Sequence, residues 1–182
     1  FPQRRWHDFR LLAVDGSTGR LPNTPAIDRY FGRPAKSGVP LARFSRLYDV
    51  LNRQIVQAEM ASYDTSEREL ASGYLPRLKA DDLVLYDRGY PAFWLLAYHQ
   101  EDRHYCMRVR KDFHCAVKVF LDSGNKSQVV TLHPNRTSAL QCEEYNISAD
   151  PIQVRLIRVK LNSGEVEVLV TSLLDENVYF TA

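Results

Sequence analysis

Cysteine is scarce in this chain of 182 residues: only Cys106, Cys115 and Cys142 occur. An odd and sparse set provides no disulfide framework and points to a reducing compartment. Long hydrophobic runs are also missing. The longest, around residues 93–97, falls far below the ~20 apolar residues that a helix needs to cross a bilayer, so no membrane partner is expected. No secretory leader is legible, because Arg4, Arg5 and Arg10 interrupt the first ten residues without an apolar core between them. The N-x-[ST] matches at Asn125, Asn135 and Asn146 then read as chance. Neither sign of charge dominates, with 24 Lys+Arg against 22 Asp+Glu and a net charge of +2. Any case for nucleic acid must therefore rest on local charge. The signatures G-x-S-x-G, Walker A, H-E-x-x-H and G-x-G-x-x-G are all absent.

What is present is ordinary for a globular domain: 45% hydrophobic and 25% charged residues, which excludes a disordered, collagen-like or coiled-coil chain. The length fits one domain, or one with a large insertion. The chain opens on Phe1 rather than Met, which suits a piece of a longer protein.

Residues 9–14 form a short apolar run ending in Asp15-Gly16 and read as a strand covered on both sides. Residues 17–40 hold seven Gly and Pro residues (Gly19, Pro22, Pro25, Gly32, Pro34, Gly38, Pro40) and read as a long loop. Strands are predicted over 41–52 and 54–62 with a turn near Asn52. Ser66 with Glu69 matches a capping box for a helix to about Leu78. A second apolar strand, 82–87, ends at Asp87 and is followed by Arg88-Gly89-Tyr90. Pro91 is placed to open a helix that runs to about Gln100. Beyond it, 104–110, 116–121, 127–133, 152–161 and 165–173 all read as strands, with a short helix over 137–145 and hairpin-type turns at 122–124 and 162–164. A right-handed crossover through the Ser66 helix can bring the Asp87 strand beside the Asp15 strand.

Asp15 and Asp87 thus each close a buried strand, the position where open α/β sheets carry their functional crevice. Hard carboxylate oxygens there suit Mg²⁺ or Mn²⁺, and two such ions support phosphoryl transfer. The plainer reading is that both are turn residues of a β-rich domain, since Asp-Gly is common in turns. Arg103, Arg108, Arg110 and Lys111 form one basic cluster, and Arg155, Arg158 and Lys160 a second. With Arg88 beside Asp87, the candidates for DNA phosphate contact are Arg88, Arg108, Arg110, Lys111, Arg158 and Lys160. A solvated sheet face is the alternative for each cluster. His104, Cys106, His114 and Cys115 follow no usual zinc spacing, and Trp94 and Phe93 read as core.

The run Leu12-Ala-Val-Asp15-Gly-Ser17, followed by Leu83-Val-Leu-Tyr-Asp87-Arg-Gly-Tyr90, resembles the DDE transposases of bacterial insertion sequences, and more narrowly the insertion sequence family four. The closing stretch Glu165–Asp175 resembles the strand that leads back to the catalytic core. The resemblance implies an α/β, ribonuclease-H-like mixed sheet with helices. Residues 1–102 would be the first part of the core, 103–175 a β-rich insertion returning to it, and 176–182 a lead-in to a helix with a catalytic Glu. It implies metal-dependent DNA cleavage and strand transfer at transposon ends, with Asp15 and Asp87 as catalytic metal ligands and Mg²⁺ or Mn²⁺ as cofactor. DNA would be the partner, bound by a homodimer on paired ends, in the bacterial cytoplasm at the nucleoid. The family's third acid belongs to the pattern Tyr, two residues, Arg, three residues, Glu, six residues, Lys. Here only Tyr74/Arg77/Asp81 and Tyr105/Arg108/Asp112 match in part. Both carry Asp, neither has the Lys, and both stand in the wrong place. This chain alone is therefore expected not to cut DNA. The alternatives are a ribonuclease-H-like nuclease and a non-enzymatic DNA-binding or interaction module, the latter indifferent to divalent metal and to Asp15→Ala.

Overall fold

The computed structural model describes residues 2–99 and 103–179. The chain forms two compact units that divide between Leu78 and Lys79. The class is α/β, with eight strands among the described residues, antiparallel in the first unit and mixed in the second.

The first unit is an antiparallel sheet of β1 (Arg10–Arg20), β2 (Leu41–Asp49) and β3 (Gln54–Ser62), in the order β3-β2-β1. Burial along β1 alternates: Leu12 and Val14 are buried, and Leu11 and Ala13 are only partly covered. The expected strand covered on both sides is therefore covered on one. The expected loop at 17–40 also needs correction. Ser17 to Arg20 continue β1 opposite Phe44 to Leu41, and α1 (Pro25–Phe31) follows, capped by Thr24 with Pro at its start. Of the glycines that suggested a loop, Gly19 serves close approach instead, as does Gly16 just before that stretch. A Cβ on Gly19 would lie 2.5 Å from Phe44 Cε2, and one on Gly16 would lie 2.8 Å from Glu67 Cδ. The predicted Ser66 helix is α2 (Glu67–Ser72), with the Ser66 hydroxyl accepting from Glu69 N at 3.1 Å, and it gives way to a 3₁₀ turn at Leu75–Arg77. Arg43 on β2 donates to Glu67 at 2.8 Å and ties this helix to the sheet.

The second unit orders β4 (Asp82–Tyr86), β5 (His104–Val109), β8 (Val166–Thr171), β7 (Ile152–Lys160) and β6 (Ser127–Leu132) as β4-β5-β8-β7-β6. β4 and β5 are parallel, and the other pairs are antiparallel. Among the described residues it also holds the helices α3 (Phe93–Tyr98), α4 (Cys115–Ser123) and α5 (Arg136–Glu144). α3 begins at Phe93, two residues after the Pro91 expected to open it, and Gln100, its expected end, lies outside the described residues. Residues 116–121, expected as a strand, are helical. His114 Nδ1 accepts from Ala116 N at 3.1 Å to cap α4, and Gly124 at φ 75° ends it. The Asp122-Ser-Gly124 turn is thus a helix terminus, whereas the turn at 162–164 is a true hairpin, closed by Leu161 N to Glu165 O at 2.8 Å.

One face of this sheet carries Val84, Tyr86, Tyr105, Met107, Val168 and Val170, all buried. Trp94 belongs to the core, stacked on Tyr145 of the turn after α5 at 4.1 Å between ring centroids. Residue 103 falls between α3 and β5, inside this second unit.

Candidate active site

Strand direction decides where the charged residues gather. β5 runs parallel to β4, β8 antiparallel to β5, and β7 antiparallel to β8. The carboxyl ends of β4, β5 and β7 therefore lie along one edge of the second unit's sheet, together with the start of β8. Asp87 and Arg88 follow β4, while Arg110 and Lys111 follow β5. Lys160 ends β7, and Glu165 and Glu167 stand at the start of β8. The carboxyl end of a parallel pair is where open α/β sheets bind ligands.

A cleft of about 240 Å³ opens there, lined by Arg88, Arg108, Arg110, Lys111, Glu165 and Glu167 with four aliphatic side chains. Four of the six DNA-contact candidates share it. Four cationic groups face two carboxylates, so the cleft is net cationic and suits an anion.

Arg158 and Lys160 do not line that cleft. In register, Arg158 pairs with Val168 and Arg108 with Leu169, so the two arginines stand on opposite faces. Arg158 donates to the carbonyls of Phe120 (3.1 Å), Leu121 (2.6 Å) and Asn125 (2.9 Å). Its guanidinium lies over the Phe120 ring. It satisfies the orphaned carbonyls at the end of α4. Arg158→Ala is expected to destabilise the protein by about 1.5–3 kcal/mol, read as a lower urea midpoint, with DNA affinity unchanged within about twofold. Arg155, from the same sequence cluster, is buried, with Nε on Ser127 Oγ at 2.7 Å and Nη1 on the Tyr179 carbonyl at 2.6 Å.

Asp15 does not end its strand. It sits in the middle of β1, directly opposite Arg46 of β2, and Arg46 Nη2 meets its carboxylate at 2.5 Å. Asp87 follows β4 directly, as expected. Its carbonyl accepts from Tyr90 N at 3.0 Å in a tight turn. Its carboxylate accepts from Arg108 Nη1 at 3.2 Å, and Arg108 Nη2 reaches Glu167. The two carboxylates remain 60% and 62% exposed, so such pairs contribute at most about 1 kcal/mol each to stability.

The Asp87 strand end is held from the core side. Tyr86 Oη and His99 Nε2 are 2.9 Å apart, both buried. Burial, and then the Arg103 charge, push the His99 imidazole down to about 3. Burial also raises Tyr86 and Tyr105 well above the usual phenol range, so both stay protonated. Burial raises the Cys106 thiol to about 11, leaving it unreactive at neutral pH. Arg46, Glu167 and the Tyr86–His99 pair escaped the sequence reading, because each acts through a partner distant in the chain or through burial.

A divalent cation fits the hard-oxygen chemistry of each carboxylate. Among the described residues, no three of His, Cys, Asp or Glu gather as metal ligands. One or two exposed carboxylates, completed by water and phosphate oxygens, is the usual way proteins hold Mg²⁺.

The chain is 26% identical to InsG, the transposase of insertion sequence element IS4 from Escherichia coli K12, over 181 residues covering 96% of this chain and 40% of InsG. InsZ, assigned as a transposase in the same strain, is 26% identical over 75% of this chain and 47% of its own length. The chain is thus similar in sequence to insertion-sequence transposases. No protein-family model matches it. In three dimensions the chain resembles the piggyBac transposase from a synaptic complex with hairpin DNA. The TM-score is 0.52 at 12% identity, covering 91% of this chain and 34% of that one. That likeness establishes the fold alone, and it agrees with the ribonuclease-H-like α/β class expected from the sequence. The chain spans less than half the length of the curated relatives it matches. Among the described residues no helix is long and apolar enough to cross a membrane.

Proposed function

We propose that this chain is core sequence of a DNA transposase of the IS4 type, acting on phosphodiesters at the ends of a mobile element. The observation that carries the reading is the likeness to InsG along 96% of the chain. It includes the turn that presents Asp87 at the carboxyl end of the parallel β4–β5 pair.

Asp15 and Asp87 would each offer a carboxylate to Mg²⁺ or Mn²⁺. Bound there, the cation supplies charge neutralisation at the scissile phosphate and a more acidic attacking hydroxyl. The chain's own residues do the rest. Arg88, Arg110 and Lys111 hold DNA phosphates in the cleft, and the turn closed by Asp87 O and Tyr90 N fixes the carboxylate beside them. In the first step water adds to phosphorus and the 3′ oxygen leaves. In the second, that 3′ hydroxyl attacks target DNA. Both steps exchange one P–O bond for another and need no oxidant or energy source. With only two of the three acids legible, this chain by itself is inert in cleavage. Action on paired ends as a homodimer belongs to the same proposal.

A binding experiment separates this from a non-enzymatic DNA-binding module. The 182-residue chain is titrated with duplex DNA with and without Mg²⁺, beside Asp15→Ala. The transposase reading expects Mg²⁺ to tighten binding severalfold and Asp15→Ala to remove that gain. Affinity indifferent to both would favour the module.

A further inference from the structure

Arg108 was expected to contact DNA, yet its guanidinium lies between two acids. Nη1 meets Asp87, and Nη2 meets Glu167. The Nε is buried with no hydrogen-bond partner among the described residues, so these two carboxylates account for the hold on the side chain. We propose that Arg108 is a positioning residue for cation loading: it occupies Asp87 in the cation-free protein and must release it before a divalent ion can bind. The inference rests on Asp87 being a metal ligand, as argued under the proposed function.

The asymmetry of the bridge carries the argument. Glu167 is 16% exposed and Asp87 62%. The better-covered acid pair is less screened by water and therefore holds more firmly. Register fixes the same order. Arg108 pairs with Leu169 across β5–β8, which puts Glu167 two residues along on the same face. Glu167 is thus the anchor. Asp87, on the turn after β4, is the partner that can be given up. A guanidinium on a carboxylate occupies one oxygen with a fixed hydrogen bond and adds a positive charge where the ion must arrive. Removing that hold raises cation affinity. Removing a cationic group that lines the cleft without touching Asp87 raises it less, through charge alone.

The anchor also gives Arg108 a defined place after release. Nη2 stays on Glu167, and Nη1 is freed at the cleft already lined by Arg88, Arg110 and Lys111. Loading of the cation on Asp87 and the availability of one more cationic donor in the cleft are thereby coupled through a single side chain.

The test is Mn²⁺ titration of the 182-residue chain, read as paramagnetic broadening of the Gly89 and Tyr90 backbone amide signals. That reading follows only folded molecules and does not require activity. Arg108→Gln is expected to raise Mn²⁺ affinity about three- to fivefold, the most that an exposed pair of this kind withholds. Arg108→Lys keeps the charge but lacks the fork that spans both acids, and it is expected to raise affinity by a smaller factor. Asp87→Asn is expected to abolish the broadening in each background. Affinity unchanged or lowered in both Arg108 variants, with Asp87→Asn still abolishing it, overturns the inference and leaves Asp87 as a ligand. Broadening that survives Asp87→Asn removes Asp87 from the metal site, and the inference falls with that assignment.

Discussion

Asp87→Asn is expected to lower transposition by the intact gene product at least about 10³-fold, while the protein stays folded. The substitution keeps one oxygen and the side-chain shape but removes the negative charge that a hard divalent ion needs. Asp15→Asn is expected to do the same. Stability is the control. Both carboxylates are more than half exposed, in single ion pairs with Arg46 and Arg108, so each change costs at most about 1 kcal/mol of folding. Asp112→Asn supplies the comparison, because Asp112 also pairs with an arginine of the same cleft, Arg110, at 3.7 Å. If Asp112→Asn lowers transposition as far as Asp87→Asn, the effect is one of general charge in the cleft. If all three variants transpose normally, Asp15 and Asp87 are ordinary surface ion-pair residues.

Much of the architecture was legible because hydrophobic alternation and turn chemistry act over a few residues. β2, β3, β6, β7 and β8 fall where apolar runs and Asn- or Gly-bearing turns put them, and Ser66 caps the helix it announced. The misreadings share a cause in tertiary context. The 116–121 segment is rich in β-branched and aromatic residues, which favour strands in isolation. Its ends are instead set by the His114 cap and by Gly124 in the left-handed region, while Val117 and Phe120, three apart, are both buried. The 17–20 stretch is polar and glycine-bearing, yet β2 supplies a partner for every residue of it. The site divides in the same way. The place of Asp87 directly after a strand was legible from the apolar run before it. The partners Arg46 and Glu167 were not, since Arg46 lies 31 positions from Asp15 and Glu167 lies 59 from Arg108. Charge clustering along the sequence also misled. Arg155, Arg158 and Lys160 are near neighbours in the chain, but the first is buried and the second caps a helix.

His99 is expected to make the protein acid-sensitive. In the folded chain its imidazole is held down to about 3, against about 6.5 in an unfolded chain. The unfolded state therefore binds the extra proton throughout the window between these values. His99 contributes no penalty above pH 6.5, and stability falls as pH drops from 6.5 towards 3, by at most about 1.4 kcal/mol per pH unit. Other groups titrate in the same range, so the informative quantity is the difference from His99→Gln. That variant cannot ionise, and its amide oxygen can accept from the Tyr86 hydroxyl. Between pH 7 and 4.5 the parent is expected to lose about 2–3 kcal/mol more than the variant, measured by urea unfolding at each pH. Parallel losses in the two proteins would mean that the imidazole titrates normally in the fold. The consequence reaches the site, because Tyr86 immediately precedes Asp87 and bonds His99 at 2.9 Å. Protonating His99 places a charge among Tyr86, Tyr105 and the apolar core, and the strand end that presents Asp87 loses its support.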